Sequence, residues 1–285
     1  MNSELCIRSM TPSDLAFAAE CTAMEEWASE NLTTLEGFFQ NDPHGCLIAE
    51  LSHWPVGICM ATPYGHSGFI GELIVRPQVR SQGIGAALLD HAISYLRQRG
   101  AETIYLDGVV KVVALYERHG FRKVCRSLRF SGTLKGQPHP NVRSMRAADL
   151  PAVFALDRQA FSEDRSFFLA RGLELFPELC KVMIEDGKLT GFILGRRGEG
   201  WVATGPWVVA HEVREPLGLL ASLACEVVQV SLSVGILDIN RRAVELIQSL
   251  GWMLRKNSPW RMALGPSNDL GASPLCLAVG TAATG

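Results

Sequence analysis

Residues 68–100 read GFIGELIVRPQVRSQGIGAALLDHAISYLRQRG, and residues 101–121 continue with AETIYLDGVVKVVALYERHGF. The first stretch opens with an apolar, β-branched run that ends at Val75, which predicts a buried strand. A glycine-containing loop (Arg80–Gly85) follows, and then apolar residues recur at helical spacing at Leu88, Leu89, Ile93 and Leu96. A strand, a glycine loop and a helix in this order predict a phosphate-binding site, because the first-turn N–H groups of the helix are unpaired and its dipole favours an anion.

The spacing of this loop separates it from two other phosphate-binding motifs. A nucleotide P-loop ends in Gly-Lys-Ser/Thr, and the dinucleotide fingerprint has three glycines, and neither pattern is present. Gly83 and Gly85 lack a Cβ, so they allow the backbone to approach a bulky pyrophosphate. Arg80 supplies a counter-charge next to them.

Two separated motifs together resemble one protein family. Arg-x-x-Gly-x-Gly after a strand ending in Val-x-Pro resembles the acetyl-CoA loop of the GNAT superfamily of N-acetyltransferases. Downstream, Ala114–Phe121 is similar to the family's helix that ends in Leu-Tyr-x-x-x-Gly-Phe, and Thr103–Asp107 between them predicts the next strand. The resemblance covers roughly residues 5–131. It implies that acetyl-CoA is the co-substrate.

The resemblance also implies which residues hold the donor. In this family the fourth and fifth strands splay apart, and the pantetheine arm bonds to the exposed backbone of the fourth. That backbone corresponds to Leu73, Ile74 and Val75 here. The diphosphate then falls on the loop and first helical turn, formed by Arg80, Ser81, Gln82, Gly83, Ile84, Gly85 and Ala86.

A repeat runs through the chain. Ile7–Leu15 matches Val142–Leu150, sharing Arg-Ser-Met and Asp-Leu at the same spacing. Two further pairs follow in the same order: Val79–Leu89 with Val213–Leu223, and Leu106–Phe121 with Leu237–Trp252. This pattern predicts a tandem duplication. The resemblance implies that the two GNAT-like domains are of α/β (α+β) class, each with a mixed, mostly antiparallel sheet flanked by helices.

We expect a first domain over residues 1–134, a second over 141–264, and a tail over 265–285. The boundary lies in the Gly- and Pro-containing segment 135–140. The tail is rich in small residues but includes Leu275, Leu277 and Val279, so it is either disordered or adds an extended segment to the second domain.

The second copy lacks the residues of the anion site. Pro216, Leu217 and Leu219 replace Gln82, Gly83 and Gly85, and a proline offers no N–H. Ile247 replaces Tyr116. We therefore expect a degenerate second domain, unless Gly218 substitutes by a shift of one residue.

Tyr116 is the predicted catalytic acid. A phenol with an ordinary pKa near 10 is protonated at neutral pH and can donate a proton to the departing thiolate. The alternative is a tyrosine that only packs in the core. For the general base the candidates are Glu72 and Asp107, and we favour Glu72, because the equivalent of Asp107 survives as Asp238 in the degenerate copy.

The acceptor side is predicted from Glu25, Glu26 and Trp27, since this region lines the acceptor site in GNAT folds. The alternative is that Trp27 is a core residue and the glutamates form a solvated face. One position departs from the family: Val109 stands where most members have an asparagine that the second copy keeps as Asn240. A non-catalytic acyl-CoA-binding or sensing protein is therefore the alternative to an N-acetyltransferase acting on a small-molecule or peptide amine.

Bulk composition excludes several other classes. The chain has 285 residues and a net charge of −2, which gives no electrostatic footprint for nucleic acid. Its eight cysteines form no C-x-x-C pair, and no histidine spacing suggests a metal site. The apolar stretch Leu217–Leu237 contains Glu226 and Gln229 and changes from helical to alternating spacing, which predicts a core helix and a strand rather than a membrane span. We expect a cytoplasmic protein without a membrane or nucleic-acid partner, and the sequence leaves both a monomer and a homodimer open.

Overall fold

The computed structural model describes residues 4–27, 31–198, 200–227, 230–266, 270–281 and 285. The helices are α1 Leu15–Met24, α2 Leu32–Asn41, α3 Ile84–Gln98, α4 Val113–Arg118, α5 Leu150–Phe161, α6 Ser166–Leu175, α7 Leu217–Ala224 and α8 Arg241–Ser249. The strands are β1 Leu5–Ser9, β2 Cys46–Leu51, β3 Trp54–Pro63, β4 Ser67–Val75, β5 Thr103–Gly108, β6 Arg122–Gly132, β7 Val142–Ser144, β8 Lys181–Glu185, β9 Lys188–Gly198, β10 Trp201–Val209, β11 Ser231–Leu237, β12 Met253–Leu254, β13 Trp260–Leu264 and β14 Cys276–Ala278. We call β1 to β6 the N-terminal half and β7 to β14 the C-terminal half.

The predicted elements of the opening stretch are present. The β-branched run forms β4, the helical spacing forms α3, and the segments that follow form β5 and α4. Leu88, Leu89 and Leu96 of α3 are fully buried against the sheet, as their spacing predicted. In the C-terminal half, Leu217–Leu237 forms a helix and a strand, while Val228 and Gln229 lie outside the described residues.

One sheet runs through both halves. Its order among the described strands is β1-β2-β3-β4-β5-β13-β6-β11-β10-β9-β8-β7, with β12 paired to β6 and β14 paired to β10. The pairs β4–β5 and β10–β11 are parallel, and all other pairs among the described strands are antiparallel. The mixed, mostly antiparallel fold class predicted from the sequence is therefore confirmed.

The two halves exchange strands β6 and β13. Strand β13 belongs to the C-terminal half but lies between β5 and β6. The long strand β6 pairs with β13 through Arg122–Arg126 and then with β11 through Ser127–Gly132. Each half thus completes the sheet of the other. The domain boundaries predicted from the repeat, 1–134 and 141–264, remain a prediction.

The connector between the halves packs closely. Gln137 N donates to Ala221 O at 3.1 Å, and His139 N donates to Ser222 Oγ at 3.2 Å. A Cβ on Gly218 would lie 2.6 Å from the His139 ring. The connector therefore covers the start of α7.

We expect neither half to fold alone, because a fragment of residues 1–134 would leave β5 and β6 without the strand between them. Unpaired buried backbone groups cost several kcal/mol in total. The full chain should unfold in one cooperative transition by circular dichroism, the 1–134 fragment should show none, and co-expression with residues 135–285 should restore it. A fragment 1–134 that unfolds cooperatively by itself would contradict the importance of the exchange.

Candidate functional site

The site is a cleft of about 1160 Å³ where β4 and β5 separate. Their parallel pairing ends at Ile70 and Leu106. Beyond that point the described strand next to β4 is β3 on its other side, and Val75 O also accepts from Arg80 Nε at 2.8 Å. The edge of β4 from Gly71 to Val75 therefore faces the cleft. Each of the predicted donor-strand residues, Leu73, Ile74 and Val75, lines it.

A bulge shapes the middle of β4. Ile58 and Met60 of β3 pair with Ile74 and Gly71, so Glu72 and Leu73 lie together opposite one residue of β3. Glu72 has a φ of 48°, which non-glycine residues rarely adopt, and only 4% of its surface is exposed. The bulge re-aims β4 and leaves Glu72 in the lining of the cleft.

The N-terminus of α3 faces the same cleft. Its N-cap, Gly83, has a φ of 82° and no side-chain cap, and the first turn carries no acidic residue. The unpaired first-turn N–H groups and the positive end of the helix dipole thus fit an anion. Arg80, Ser81, Gly83, Ile84, Gly85 and Ala86 line the cleft. Gln82 is exposed and is not among the lining residues.

The two glycines of the loop contribute differently. The positive φ of Gly83 requires glycine on backbone grounds, although a Cβ there would meet no atom within 4 Å. A Cβ on Gly85 would make only ordinary contacts, 3.6 Å from Val75 Cγ2 and 3.9 Å from Leu115 Cδ2. Gly85 therefore leaves room for a ligand rather than for the protein's own packing.

Tyr116 lines the cleft from α4. Its ring packs edge-to-face on Phe121 with a centroid distance of 6.1 Å, and it lies so close to Gly108 that a Cβ there would be 3.0 Å from Tyr116 Cδ2. Within the described part of the chain its hydroxyl makes no hydrogen bond. Burial raises the pKa of Tyr116, so the phenol stays protonated well above neutral pH.

Asp107 is committed to a buried ion-pair network. Its carboxylate accepts hydrogen bonds from Arg261 Nε at 2.6 Å, Arg129 Nη2 at 2.8 Å and Ser127 Oγ at 2.7 Å, and its side chain is 0% exposed. Burial by itself would raise the pKa of Asp107, but the two guanidinium groups hold it below its ordinary value. A carboxylate held in this way is a poor general base, which favours the structural interpretation of Asp107.

We expect Asp107→Asn to lower the free energy of unfolding by about 3–5 kcal/mol, because it leaves the buried Arg261 and the partly buried Arg129 without their counter-charge. The pKa of folded Asp107 lies below the unfolded value of about 3.9, so the pairing stabilises the fold above that pH. Its contribution is lost as the pH falls through the folded pKa. Urea unfolding at pH 7 and at acid pH measures both effects.

The control is Asp238→Asn. Asp238 accepts from the backbone N of Arg126 at 3.1 Å in an exposed position, and we expect a loss of about 1 kcal/mol or less. Equal losses in the two variants at pH 7 would contradict the role given to the buried network.

The predicted acceptor residues lie in the same cleft, between helices rather than within one. Helix α1 ends at Met24, and Glu25, Glu26 and Trp27 follow it and line the cleft. Residues 28–30 lie outside the described residues. The positive φ of 58° at Glu26 marks a turn.

Glu25 faces the donor loop. It forms ion pairs with Arg80 and, at 3.3 Å, with Lys111. Burial acts to raise the pKa of Glu25, but hydrogen bonds from Arg80 and Lys111 lower it below its ordinary value. Two cations thus already neutralise this carboxylate.

The end of β6 and the C-terminal half together supply a wall of the cleft that the sequence patterns did not indicate. The contributing residues lie on β6, β9, β10 and β11, between β12 and β13, and in the tail. They include Arg129, Ser131, Arg196, Trp201, Thr204, Ser233, Gly235, Arg255, Val279 and Thr281. Only the strand exchange brings them next to β4 and β5, so no local sequence signal could have identified them.

The equivalent anion site of the C-terminal half is closed. Helix α7 begins after Pro216, Leu219 is fully buried, and the ring of His139 covers Gly218. Gly218 therefore does not take the place of the missing glycines. Ile247, at the position of Tyr116, is fully buried in the core.

Comparison with known families agrees with this geometry. The model of the acetyltransferase (GNAT) family matches residues 13–121, and that of an acetyltransferase (GNAT) domain matches residues 153–272. The chain belongs to the GNAT superfamily, and it contains two GNAT domains in tandem. The repeat seen in the sequence thus corresponds to two copies of one fold.

Curated relatives match parts of this GNAT protein. N-alpha-acetyltransferase 30 of Dictyostelium discoideum is 26% identical over 101 residues, covering 33% of this chain and 55% of the relative. The [ribosomal protein bS18]-alanine N-acetyltransferase of Escherichia coli K12 is 33% identical over 69 residues, covering 23% of this chain and 47% of the relative. The chain thus spans about half the length of these relatives.

Among solved structures, a putative acetyltransferase from Pyrococcus horikoshii superposes with a TM-score of 0.82 and 23% identity. The match covers 99% of this chain and 96% of that one, so the two proteins share the whole tandem fold.

None of the described helices is both long enough and apolar enough to cross a bilayer. Within the described ranges, no group of three or more His, Cys, Asp or Glu side chains is arranged to hold a metal ion.

Proposed function

We propose that this GNAT protein transfers the acetyl group of acetyl-CoA to the amine of a small molecule or a peptide, by direct attack in a ternary complex. The observation that carries the proposal is the convergence of three features on one cleft. These are the uncapped N-terminus of α3, the open edge of β4, and the Tyr116 hydroxyl.

Each feature has one task. The first-turn N–H groups of α3 and the Arg80 guanidinium bind the diphosphate, and Gly83 and Gly85 leave space for it. The backbone of Leu73, Ile74 and Val75 holds the pantetheine arm. Because pairing with β5 has ended, this edge of β4 can hydrogen-bond to an extended ligand.

Tyr116 acts as the general acid. Its hydroxyl donates to the thiolate as the tetrahedral intermediate collapses, and its raised pKa keeps it protonated at neutral pH. Glu72 is the proposed base that removes the proton of the attacking ammonium, directly or through water. The bulge of β4 places Glu72 in the lining of the cleft, next to the strand edge proposed to hold the pantetheine arm.

For the acceptor we propose only a class, which comprises small-molecule amines and peptide amino groups. The two curated relatives are named for N-alpha-acetyltransferase and for alanine N-acetyltransferase activity, which supports testing peptide α-amino groups beside small amines. Glu26 and Trp27 are the residues proposed to contact the acceptor.

The test is calorimetric titration with acetyl-CoA, followed by a thiol-release assay against primary alkylamines and short peptides. We expect one acetyl-CoA per chain, with thiol release that depends on the amine. Binding without thiol release would favour an acyl-CoA-binding or sensing protein. Absence of binding would contradict both proposals.

A further inference from the structure

The second cleft of this tandem protein is filled by the chain itself. Strands β10 and β11 separate after Thr204 and Val234, as β4 and β5 do after Ile70 and Leu106. In the C-terminal half, β14 lies in the gap and pairs antiparallel with Trp207 and Val208 of β10.

Backbone hydrogen bonds fix this segment on both sides of the gap. Val209 N donates to Leu275 O at 3.0 Å, and Val279 N donates to Gly235 O at 2.9 Å. Leu277 and Ala278 are at most 1% exposed. The segment 275–279 thus takes the edge of β10 that, in the N-terminal half, the corresponding edge of β4 leaves open.

Asn240 holds the same segment from α8. Its Oδ1 accepts from Ala243 N at 3.1 Å and caps the helix, while its Nδ2 donates to Cys276 O at 2.9 Å. The asparagine that the N-terminal half lacks at Val109 therefore binds the tail in the C-terminal half.

Beyond β14 the tail crosses to the catalytic cleft. Val279, Gly280 and Thr281 line that cleft together with Glu72 and Tyr116. Val279 and Arg129 both lie beside Gly235, since a Cβ added there would be 3.0 Å from Val279 and 2.7 Å from Arg129 Nη1. Arg129 in turn bonds to Asp107, which follows Leu106 on β5. The tail thus reaches the point at which β4 and β5 separate.

The far end of this crossing is also anchored. Gly280 N donates to Gly285 O at 2.9 Å, and the same carbonyl accepts from Arg165 Nη1 at 3.0 Å. Arg165 is buried and paired with Asp157 at 2.9 Å. We call residues 279–281 the strap, since both of its ends are held.

We propose that the second GNAT cleft is a binding site for an extended peptide, and that its occupant is segment 275–279 of this chain. The docking of this segment positions the strap as a specificity-determining wall of the acceptor site. The role of the degenerate half is then to hold part of the substrate site of the other half. The acceptor part rests on the proposed function, while the docking part does not.

The docking part is tested by a chain that ends at Gly271 and a fluorescent peptide of residues 272–285. We expect saturable binding by anisotropy, and a loss of at least about tenfold when the truncated chain also carries Asn240→Asp. The aspartate keeps the helix cap but sets a carboxylate against Cys276 O. A folded truncated chain that does not bind the peptide would overturn the proposal.

The acceptor part is tested on full-length Asn240→Asp and Asn240→Ser, which both keep an oxygen to cap α8. We expect Asn240→Asp to raise the acceptor KM about tenfold with an unchanged acetyl-CoA Kd, and Asn240→Ser to change both by less than about threefold. Adding the peptide to the truncated chain should restore the acceptor KM. A donor Kd that rises together with KM would indicate a general structural defect instead and would overturn the positioning role.

If the truncated chain does not fold, hydrogen exchange of the Val279 amide in full-length Asn240→Asp and Asn240→Ser replaces the peptide titration. We expect faster exchange in the aspartate variant, and equal exchange with equal KM would overturn the proposal. If the wild-type chain acetylates no amine, the proposed function fails, and the peptide and exchange measurements still decide whether the tail is the ligand of the second cleft.

Discussion

Replacing Gly83 and Gly85 by leucine, as in the second copy, should weaken acetyl-CoA binding at least about 100-fold. Gly83 has a φ of 82°, a conformation that costs a leucine about 1–2 kcal/mol. The leucine side chain would project into open space, because a Cβ added at Gly83 has no atom within 4 Å. That open space is the path of the diphosphate in the proposed complex. Charge-assisted hydrogen bonds to first-turn N–H groups contribute about 1.5–3 kcal/mol each, so losing two gives the expected factor. Calorimetric titration measures it.

Two control variants distinguish the loss of space for acetyl-CoA from the backbone strain of a side chain at positive φ. Gly187 has a φ of 74° in the turn between β8 and β9, and a Cβ there also meets nothing within 4 Å, so Gly187→Leu introduces comparable strain far from the cleft. We expect it to bind acetyl-CoA normally. Gly85→Ala adds a methyl group that the protein accommodates by ordinary contacts, so it should leave stability unchanged. An unchanged acetyl-CoA Kd in the double leucine variant would remove the α3 N-terminus from donor binding.

The second large effect is expected from Tyr116→Phe, with kcat falling about 10²- to 10⁴-fold and acetyl-CoA affinity nearly unchanged. The substitution removes one oxygen and keeps the ring that packs on Phe121 and against Gly108. The hydroxyl makes no hydrogen bond with the described residues, so its removal leaves no protein partner unsatisfied. Steady-state kinetics with the best amine from the screen measures the change.

The pH profile adds a second readout. Burial raises the pKa of Tyr116 above its ordinary value near 10. The proton is therefore retained as the pH rises, and kcat of the wild-type enzyme should show no descending limb from this group below about pH 10. A matched control is Tyr95→Phe on α3, outside the lining of the cleft, which removes a hydroxyl bonded to Asp42 at the end of α2. It should leave kcat within about twofold. Equal kcat for Tyr116→Phe and wild type at every pH would contradict the general-acid role.

Much of the N-terminal half follows from local sequence. The β-branched run before Arg76-Pro77 forms a strand because its residues favour the pleated, buried environment, and the spacing of Leu88, Leu89 and Leu96 forms one buried helical face. The glycine at position 83 also has a local cause, since it takes a φ that other residues rarely adopt. These features were predictable because each depends on residues close together in the chain.

The charged groups of the cleft were predictable only in part. Asp107 and Glu72 are both carboxylates near the splayed strands, and the sequence favoured Glu72 only because Asp107 has an equivalent in the second copy. The structure adds that Arg261, on a strand from the other half of the chain, bonds to Asp107 at 2.6 Å, which favours the structural interpretation of Asp107. Similarly, Glu25, which the sequence predicts on the acceptor side, lines the cleft and pairs with Arg80 and Lys111. Pairing partners distant in sequence decide the availability of a carboxylate, and composition does not reveal them.

The sequence by itself determined the family, the tandem repeat, the glycine loop and the loss of that loop in the second copy, because each is a pattern of short range. Only the tertiary structure decided that β13 completes the first half, that the tail fills the second cleft, and that Val279–Thr281 reach the cleft of Tyr116. Strand pairing is made by backbone groups that every residue carries, so the choice of partner depends on register and burial across the whole sheet. For that reason the assembly of the site from both halves is a property of the folded chain.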